Sequence, residues 1–295
     1  MRYLLGSLLV LVFMGKSNQV LAQGEVLPEK LYGGNQLEAV TAEKIIEKLE
    51  AGTVVIISEI HNLKSHHQHQ ELFLEAMAQN GIGRISVGME FLSFVGQAYI
   101  DQYLFEGLPE EQFLKSVNWS GDFPTYRPLV LFPRDHGGET LGLNAPRTLT
   151  AKISKTGLSS LSEEERALIP PDFKLGNPLY FERFKATMTG GGHELPPQVV
   201  ARYFEAQSVW DETMAFVASN YMGKNPDSIL VIIVGDFHAQ YGGGLPDRLK
   251  ARGVEKIVTI SQVNLKDLTP EERREEVRPH PKYGVRADYI WTAEE

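Results

Sequence analysis

Two short segments of this 295-residue chain carry the same pair of chemical groups. Ser58-Glu59-Ile60-His61 follows the apolar run Val55-Ile56-Ile57, and Gly235-Asp236-Phe237-His238 follows Ile232-Ile233-Val234. In each, an acidic residue stands two positions before a histidine, where the chain leaves a run with the composition of a strand buried on both faces. Glu90 stands near the end of a third such run, Arg84–Phe91, and Asn144 and Arg147 follow a fourth, Thr140–Leu143. In open α/β sheets, ligands gather beyond the carboxyl ends of the strands, so side chains from four separate stretches are expected to meet at one edge.

Several chemistries are open to such a set. Imidazole and carboxylate suit a divalent ion such as zinc or manganese with open coordination positions, and His61, Glu90 and His238 form the ligand set that this requires. Alternatively, Glu59 and Glu90 act as general base and acid beside a polarising histidine, with Arg147 in the same site. A purely structural reading has Glu90 and Arg147 as an ion pair bracing the sheet edge among hydrogen-bonded histidines. His66, His67 and His69 follow close behind, and His66 and Gln70, four apart, share a helix face. A separate group is aromatic: Trp119, Phe123 and Tyr126, with Arg127 and Arg134 nearby, can line a flat apolar pocket. Tyrosinate is an axial ligand for haem iron and arginines neutralise its propionates. Aromatics at helical spacing also serve as ordinary core.

The elements that position these groups follow from periodicity. Thr53–Ile57, Arg84–Phe91, Thr140–Leu143, Ile229–Val234 and Ile257–Val263 read as strands, and Tyr289–Thr292 as an edge strand. Residues of about 65–80 read as a helix on Leu72, Phe73 and Met77, which makes a strand–helix–strand unit with its flanking runs. Residues 92–138 are mostly helical. Residues 148–224 read as helices broken at Pro170-Pro171, around Gly190, and at Pro196-Pro197. Gly242-Gly243-Gly244 reads as a tight turn into a helix near 244–252, because it lacks the Lys-Ser/Thr of a phosphate loop and the spacing of a dinucleotide fingerprint. Glu271–Glu276 reads as a solvated helical face. The fold expected is α/β: a parallel or mixed central sheet flanked by helices, in one domain over 23–295, with large helical insertions at about 92–138 and 148–224.

Composition narrows the partners. The formal charge is −9, with 29 Lys and Arg against 38 Asp and Glu, whereas a nucleic-acid or anionic-membrane binder carries a basic excess. Arg2, the apolar run Tyr3–Met14 and the small-residue exit Val20-Leu21-Ala22 read as a signal peptide over 1–22. Delivery to the periplasm or the envelope is therefore expected. There is no cysteine. Disulfides, thiolate metal sites, a cysteine nucleophile and an N-terminal lipidated cysteine are all excluded.

The segments SEIH (58–61), SHHQHQ (65–70), GMEF (88–91), LNAPR (143–147), AQSVWDETMA (206–215) and GDFHAQYGGGLPDRL (235–249) closely resemble, in this order, the ChaN-like family. That family lies in the haem-binding-uptake, TIKI and TraB superfamily, with erythromycin-esterase-type enzymes as distant relatives. The resemblance implies an exported or outer-membrane-associated role in haem-iron acquisition, with haem held by a tyrosine at a homodimer interface and an outer-membrane uptake system as partner. It places the two motif histidines on His61 and His238, the strand-end glutamate on Glu90 and the basic residue on Arg147. Tyr126, before Arg127-Pro128-Leu129, is the best counterpart of the haem tyrosine, with Tyr99 and Tyr103 as rivals. Two departures stand out. Ser58 replaces the first motif glycine, and the lipobox cysteine is missing. TIKI-type relatives are metal-dependent proteases, so the resemblance also implies the alternative of a peptidase- or esterase-type hydrolase at His61, Glu90 and His238.

Overall fold

Strands built of consecutive branched apolar residues must be covered on both faces, and the chain supplies a layer of helices for each. The computed structural model describes residues 25–190 and 195–295; the expected signal peptide lies outside the described residues. The strands are β1 (Leu31–Gly33), β2 (Ala39–Val40), β3 (Val54–Glu59), β4 (Ile85–Ser93), β5 (Thr140–Asn144), β6 (Ile229–Gly235), β7 (Ile257–Asn264) and β8 (Tyr289–Ala293). The helices are α1 (Ala42–Ile46), α2 (Lys64–Gln79), α3 (Gln97–Phe105), α4 (Glu110–Ser116), α5 (Phe123–Asp135), α6 (Arg147–Thr156), α7 (Glu163–Arg166) and α8 (Pro178–Thr189). They continue with α9 (Pro197–Lys224), α10 (Asp236–Ala239), α11 (Leu245–Ala251) and α12 (Pro270–Val277). Helices α3–α5 fill the stretch between β4 and β5, and α6–α9 that between β5 and β6, where helical insertions are expected.

The strands form one mixed sheet in the order β2-β1-β8-β7-β3-β6-β4-β5. All pairings from β8 to β5 are parallel, and only β1 joins antiparallel to its neighbours. The carboxyl ends of β3, β4, β5 and β6 therefore share one edge. The α2 crossover does not join neighbouring strands, because β6 sits between β3 and β4. Strand β8 is interior, flanked by β7 and β1, not an edge strand as its short isolated run suggests. The true edge at that side is the two-residue β2, too short to read as a strand from sequence.

Alternation along β3 assigns the two cores. Val55 and Ile57 pack with Phe73, Leu74 and Met77 of α2 and with the aromatics of α3–α5. Val54 and Ile56 pack with Met214, Ala215 and Ala218 of α9 and with Leu245 and Leu249 of α11. Burying each such side chain contributes about 1.5–3 kcal/mol, which makes the sheet the rigid platform for its polar edge. In α2 the buried stripe runs through His66, Gln70, Phe73, Leu74 and Met77, and Leu72 is 55% exposed. One residue is about 100° of helix rotation, which turns Leu72 off that stripe. Helix α12 is the solvated helix expected, started by a Thr269–Glu272 capping box and buried only at Val277. No helix among the described residues is long and apolar enough to cross a membrane.

Candidate functional site

The polar edge is assembled by local irregularities in otherwise regular strands. The β4–β5 register shifts between Met89 and Ser93, which releases Glu90 from the ladder next to the end of β6. There the Gly235 N–H donates to Glu90 Oε2 at 2.6 Å. A Cβ on Gly235 would lie 2.7 Å from His61 Cε1 and 3.4 Å from Glu90 Oε2, so only glycine lets the two side chains close over this backbone. His238 Nε2 lies 3.4 Å from Glu90 Oε1. His61, Glu90 and His238, from three separate strand exits, thus meet as expected.

Glu59 organises the first half of the site. Fully buried at the end of β3, it takes His61 Nδ1 at 3.1 Å on one oxygen and Gln70 Nε2 at 2.7 Å on the other. The Tyr126 hydroxyl donates a short hydrogen bond to it, and His67 Nε2 stands 3.4 Å away. Burial opposes the charge, but these partners, His61 first, hold the Glu59 carboxyl down to about 2. His61 is pushed up from its ordinary value: burial works against it, while Glu59 and Glu90 favour the charged ring. His66 and Gln70 do share a helix face, and both serve this strand exit. His66 Nδ1 accepts from Ile60 N–H at 3.0 Å, and burial pushes its titration down to about 4, leaving the ring neutral. His69 faces away, between Gln262 and Glu29, stacked on Trp291.

The second half is built differently. His238 Nδ1 bonds Asp211 Oδ1 at 2.7 Å, and Asp211 comes from α9. The other Asp211 oxygen accepts from the Tyr180 hydroxyl at 2.8 Å, and Gln207 Nε2 donates to that hydroxyl at 3.0 Å. Burial disfavours the His238 charge, yet Glu90 and Asp211 hold its titration at about 10, and Glu90 in turn is lowered. Asp236, in the position matching Glu59, turns elsewhere. It accepts from Ser58 Oγ at 2.5 Å, Ser261 Oγ at 2.6 Å and Arg286 Nη2 at 2.6 Å. Ser58, the departure from the glycine motif, is thus a hydrogen-bond donor that ties β3 to the start of α10, and its φ is not positive.

A cavity of about 510 Å³ opens on His61, Glu90 and His238. Phe91, Val95, Val117 and Trp210 supply apolar wall, and Tyr99, Asn144 and Arg147 also line it. Arg147 is exposed and donates to Ser120 Oγ at 2.5 Å, so the Glu90–Arg147 ion pair is not formed. A neighbouring cavity of about 360 Å³ shares His61 and Phe91 with the first and is lined by Tyr126, His67 and Trp119. The candidate tyrosines separate accordingly. Tyr99 is on the large cavity, 43% exposed, and its hydroxyl makes no hydrogen bond among the described residues. Tyr126 is on the small one with its hydroxyl committed to Glu59, and burial and that carboxylate push its ionisation far up. Tyr103 lines neither; it donates to Glu110, stacks on Phe113 and is pushed up to about 12 by burial and Glu110. Arg127 grips the same Glu110 with two bonds, at 2.7 and 2.5 Å.

The zinc or manganese reading is corrected here. Among the described residues, no group of three or more histidine, aspartate and glutamate side chains is arranged to hold a metal ion. Glu90 and Asp211 favour the charged His238 ring, and His61 spends one nitrogen on Glu59.

Sequence reasoning missed Asp211, Gln207 and Tyr180. A signal for two of them exists: Gln207 and Asp211 lie four apart on α9 among Ala206, Val209 and Met214, two polar residues on a buried face. Tyr180 carries no such mark.

Residues 45–249 match the family described as haem-binding uptake, Tiki superfamily, ChaN. Among solved structures, one described as cofacial haem binding to ChaN of Campylobacter jejuni matches with a TM-score of 0.65 and 16% identity, covering 88% of this chain and 95% of that one. An erythromycin esterase EreC variant in its open conformation matches at 0.46 and 12%, covering 76% and 73%. The type III effector HopBA1 matches at 0.43 and 12%, covering 86% and 93%. At such identities the likeness to the first is one of fold. No curated protein sequence matches the chain.

Proposed function

The chain belongs to the haem-binding-uptake family ChaN of the Tiki superfamily, and we propose that it binds haem in the 510 Å³ cavity at the carboxyl edge of its sheet, with Tyr99 as axial ligand. The observation that carries this reading is the position of Tyr99 on an apolar-walled cavity with its hydroxyl uncommitted. Ligand sites of about 300–1,000 Å³ are typically apolar, with few well-placed polar groups, and haem asks for such a wall plus cations for its propionates. Phe91, Val95 and Trp210 supply the wall, and Arg147 the cation. Haem bound here would supply its iron as a Lewis acid for a phenolate. Tyr126 cannot release its proton cheaply, because a tyrosinate would then stand against the buried Glu59 carboxylate. Tyr103 faces the same obstacle at Glu110.

The finer parts of the reading are export and pairing. The Arg2, Tyr3–Met14 and Ala22 pattern supports delivery to the periplasm or envelope, in service of an outer-membrane haem-uptake system. Val95, more than half exposed on the same cavity as Tyr99, supports a homodimer that covers the haem face. Haemin titration of the purified chain should give a saturable Soret change. Tyr99→Phe should remove the tyrosinate-to-iron absorption and weaken binding about tenfold or more, which is about 1.4 kcal/mol. Tyr126→Phe should keep the spectrum. No saturable binding would sink the haem assignment, and an unchanged Tyr99→Phe spectrum would sink the ligand assignment alone. Sequencing the N-terminus of protein recovered from the periplasm tests export.

A further inference from the structure

Strand β5 ends the sheet, so its outer row of backbone groups has no neighbouring strand among the described residues. The Glu139 carbonyl, one residue before β5, accepts from Val87 N–H of β4 at 3.0 Å, so by alternation Thr140 and Gly142 turn their backbone polar groups outward. The side chain of Gln97, the first residue of α3, meets both. Its Nε2 donates to the Thr140 carbonyl at 2.8 Å, and its Oε1 accepts from Gly142 N–H at 2.9 Å. In a parallel ladder, one residue of the neighbouring strand makes this same pair of bonds, to a carbonyl and to the N–H two positions on. The amide thus takes the place of one residue of a further strand. A backbone carbonyl on one side and an N–H on the other leave it a single orientation. A Cβ on Gly142 would lie 2.5 Å from the Ser93 carbonyl oxygen and 3.1 Å from Ile100 Cδ1, so the glycine lets α3 settle this close.

The clamp sets how α3 is rolled about its axis. Gln97 Nε2 also donates to Asp101 Oδ1 at 2.9 Å, one helical turn on, and Ile100 beside it is fully buried. Each residue turns the helix by about 100°, so Tyr99, two on from Gln97, comes about 200° round from the clamp. There it stands exposed at the wall of the 510 Å³ cavity. We propose that Gln97 is the positioning residue of the haem site: by standing in for a strand residue along β5, it fixes the direction from which the Tyr99 hydroxyl enters the cavity. This inference rests on the haem reading above, with Tyr99 as ligand. A helix held by apolar packing alone can rock on the sheet edge, whereas two bonds to strand backbone give it one seat, and a ligand is only as well aimed as the groups behind it.

The test has a haem-free and a haem-loaded arm, on the full chain carrying Gln97→Met or Gln97→Asn. Methionine keeps the length without the amide, and asparagine keeps the amide but is one methylene short, so either serves if the other does not fold. Without haem, amide hydrogen exchange at Gly142 should speed up about fivefold to tenfold, as expected for a lost hydrogen bond. With haemin, resonance Raman should show the tyrosinate–iron vibration shifted and broadened in the variants, and affinity should fall about tenfold. Asp101→Ala removes only the outer partner of the amide and should leave the vibration where the parent has it. A merely structural role would lower stability and affinity but leave the vibration of the bound fraction unmoved. That result overturns the proposal, as does unchanged exchange at Gly142. If the parent gives no tyrosinate vibration sensitive to Tyr99→Phe, the ligand reading fails and this inference with it; if the parent gives one and the folded variants keep it, the positioning alone fails.

Discussion

At the exit of β3 the glutamate and the histidine pair with each other, whereas at the exit of β6 the aspartate and the histidine part company. Glu59 takes His61 Nδ1, but Asp236 takes Arg286, Ser58 and Ser261, and His238 finds its carboxylate on α9. The local backbone explains the difference. Extended chain puts residues two apart on the same side, and Glu59 is the last residue of β3. Asp236 is the first residue of α10, and residues two apart on a helix do not face one another. The same acid–x–histidine spacing therefore marks a polar strand exit without specifying who pairs with whom. It also separates exposure: the His61 side chain is 47% exposed and that of His238 is 7%.

The largest effect should come from removing the acid that sequence spacing does not reveal. Asp211→Ala leaves a buried imidazolium and a buried tyrosine hydroxyl without their acceptor, so urea unfolding should show a loss of about 3–5 kcal/mol. Asp236→Asn keeps one acceptor but loses the charge facing Arg286; a loss of about 2 kcal/mol is expected, with the His238 ring titration unmoved in NMR. If His238 shifted as strongly in Asp236→Asn as in Asp211→Asn, the two exits would be equivalent after all.

The pH dependence should be lopsided in the same sense. With its titration raised to about 10, His238 contributes stability fully below its unfolded value near 6.5, lost as the pH rises toward 10. Glu59, lowered to about 2, contributes stability present above about 4.5 and lost as the pH falls toward 2. Thermal melts across pH 6.5–10 should slope downward in the parent and flatten in His238→Gln. The smallest effect belongs to His61→Gln, at under about 1 kcal/mol, since the ring is half exposed and Glu59 keeps Gln70 and Tyr126.

Much of the sheet was legible because β3 and β6 hold uninterrupted apolar runs and β4, β5 and β7 are rich in apolar residues, and the residues leaving those runs named the edge of the site. What escaped were the short strands β1 and β2, whose few residues carry no period, and the partners that approach from α8 and α9. Ser58 reads as a lost glycine in the motif, yet its hydroxyl closes the hydrogen-bond set of Asp236. Tyr126 reads as a free haem phenol because of the residues after it, yet its hydroxyl is spent on Glu59.

By itself the sequence determined an α/β chain, its helical insertions, its likeness to ChaN-like proteins, and the convergence of His61, Glu90 and His238, because periodicity and strand exits are local properties of the chain. Only the tertiary structure decided which carboxylate charges which histidine, that no metal set forms among the described residues, and that Tyr99 rather than Tyr126 has a free hydroxyl at the cavity. Those outcomes depend on hydrogen-bond partners brought from distant helices into a space shielded from water, where a partner's approach by a few ångströms fixes the charge of the group it meets.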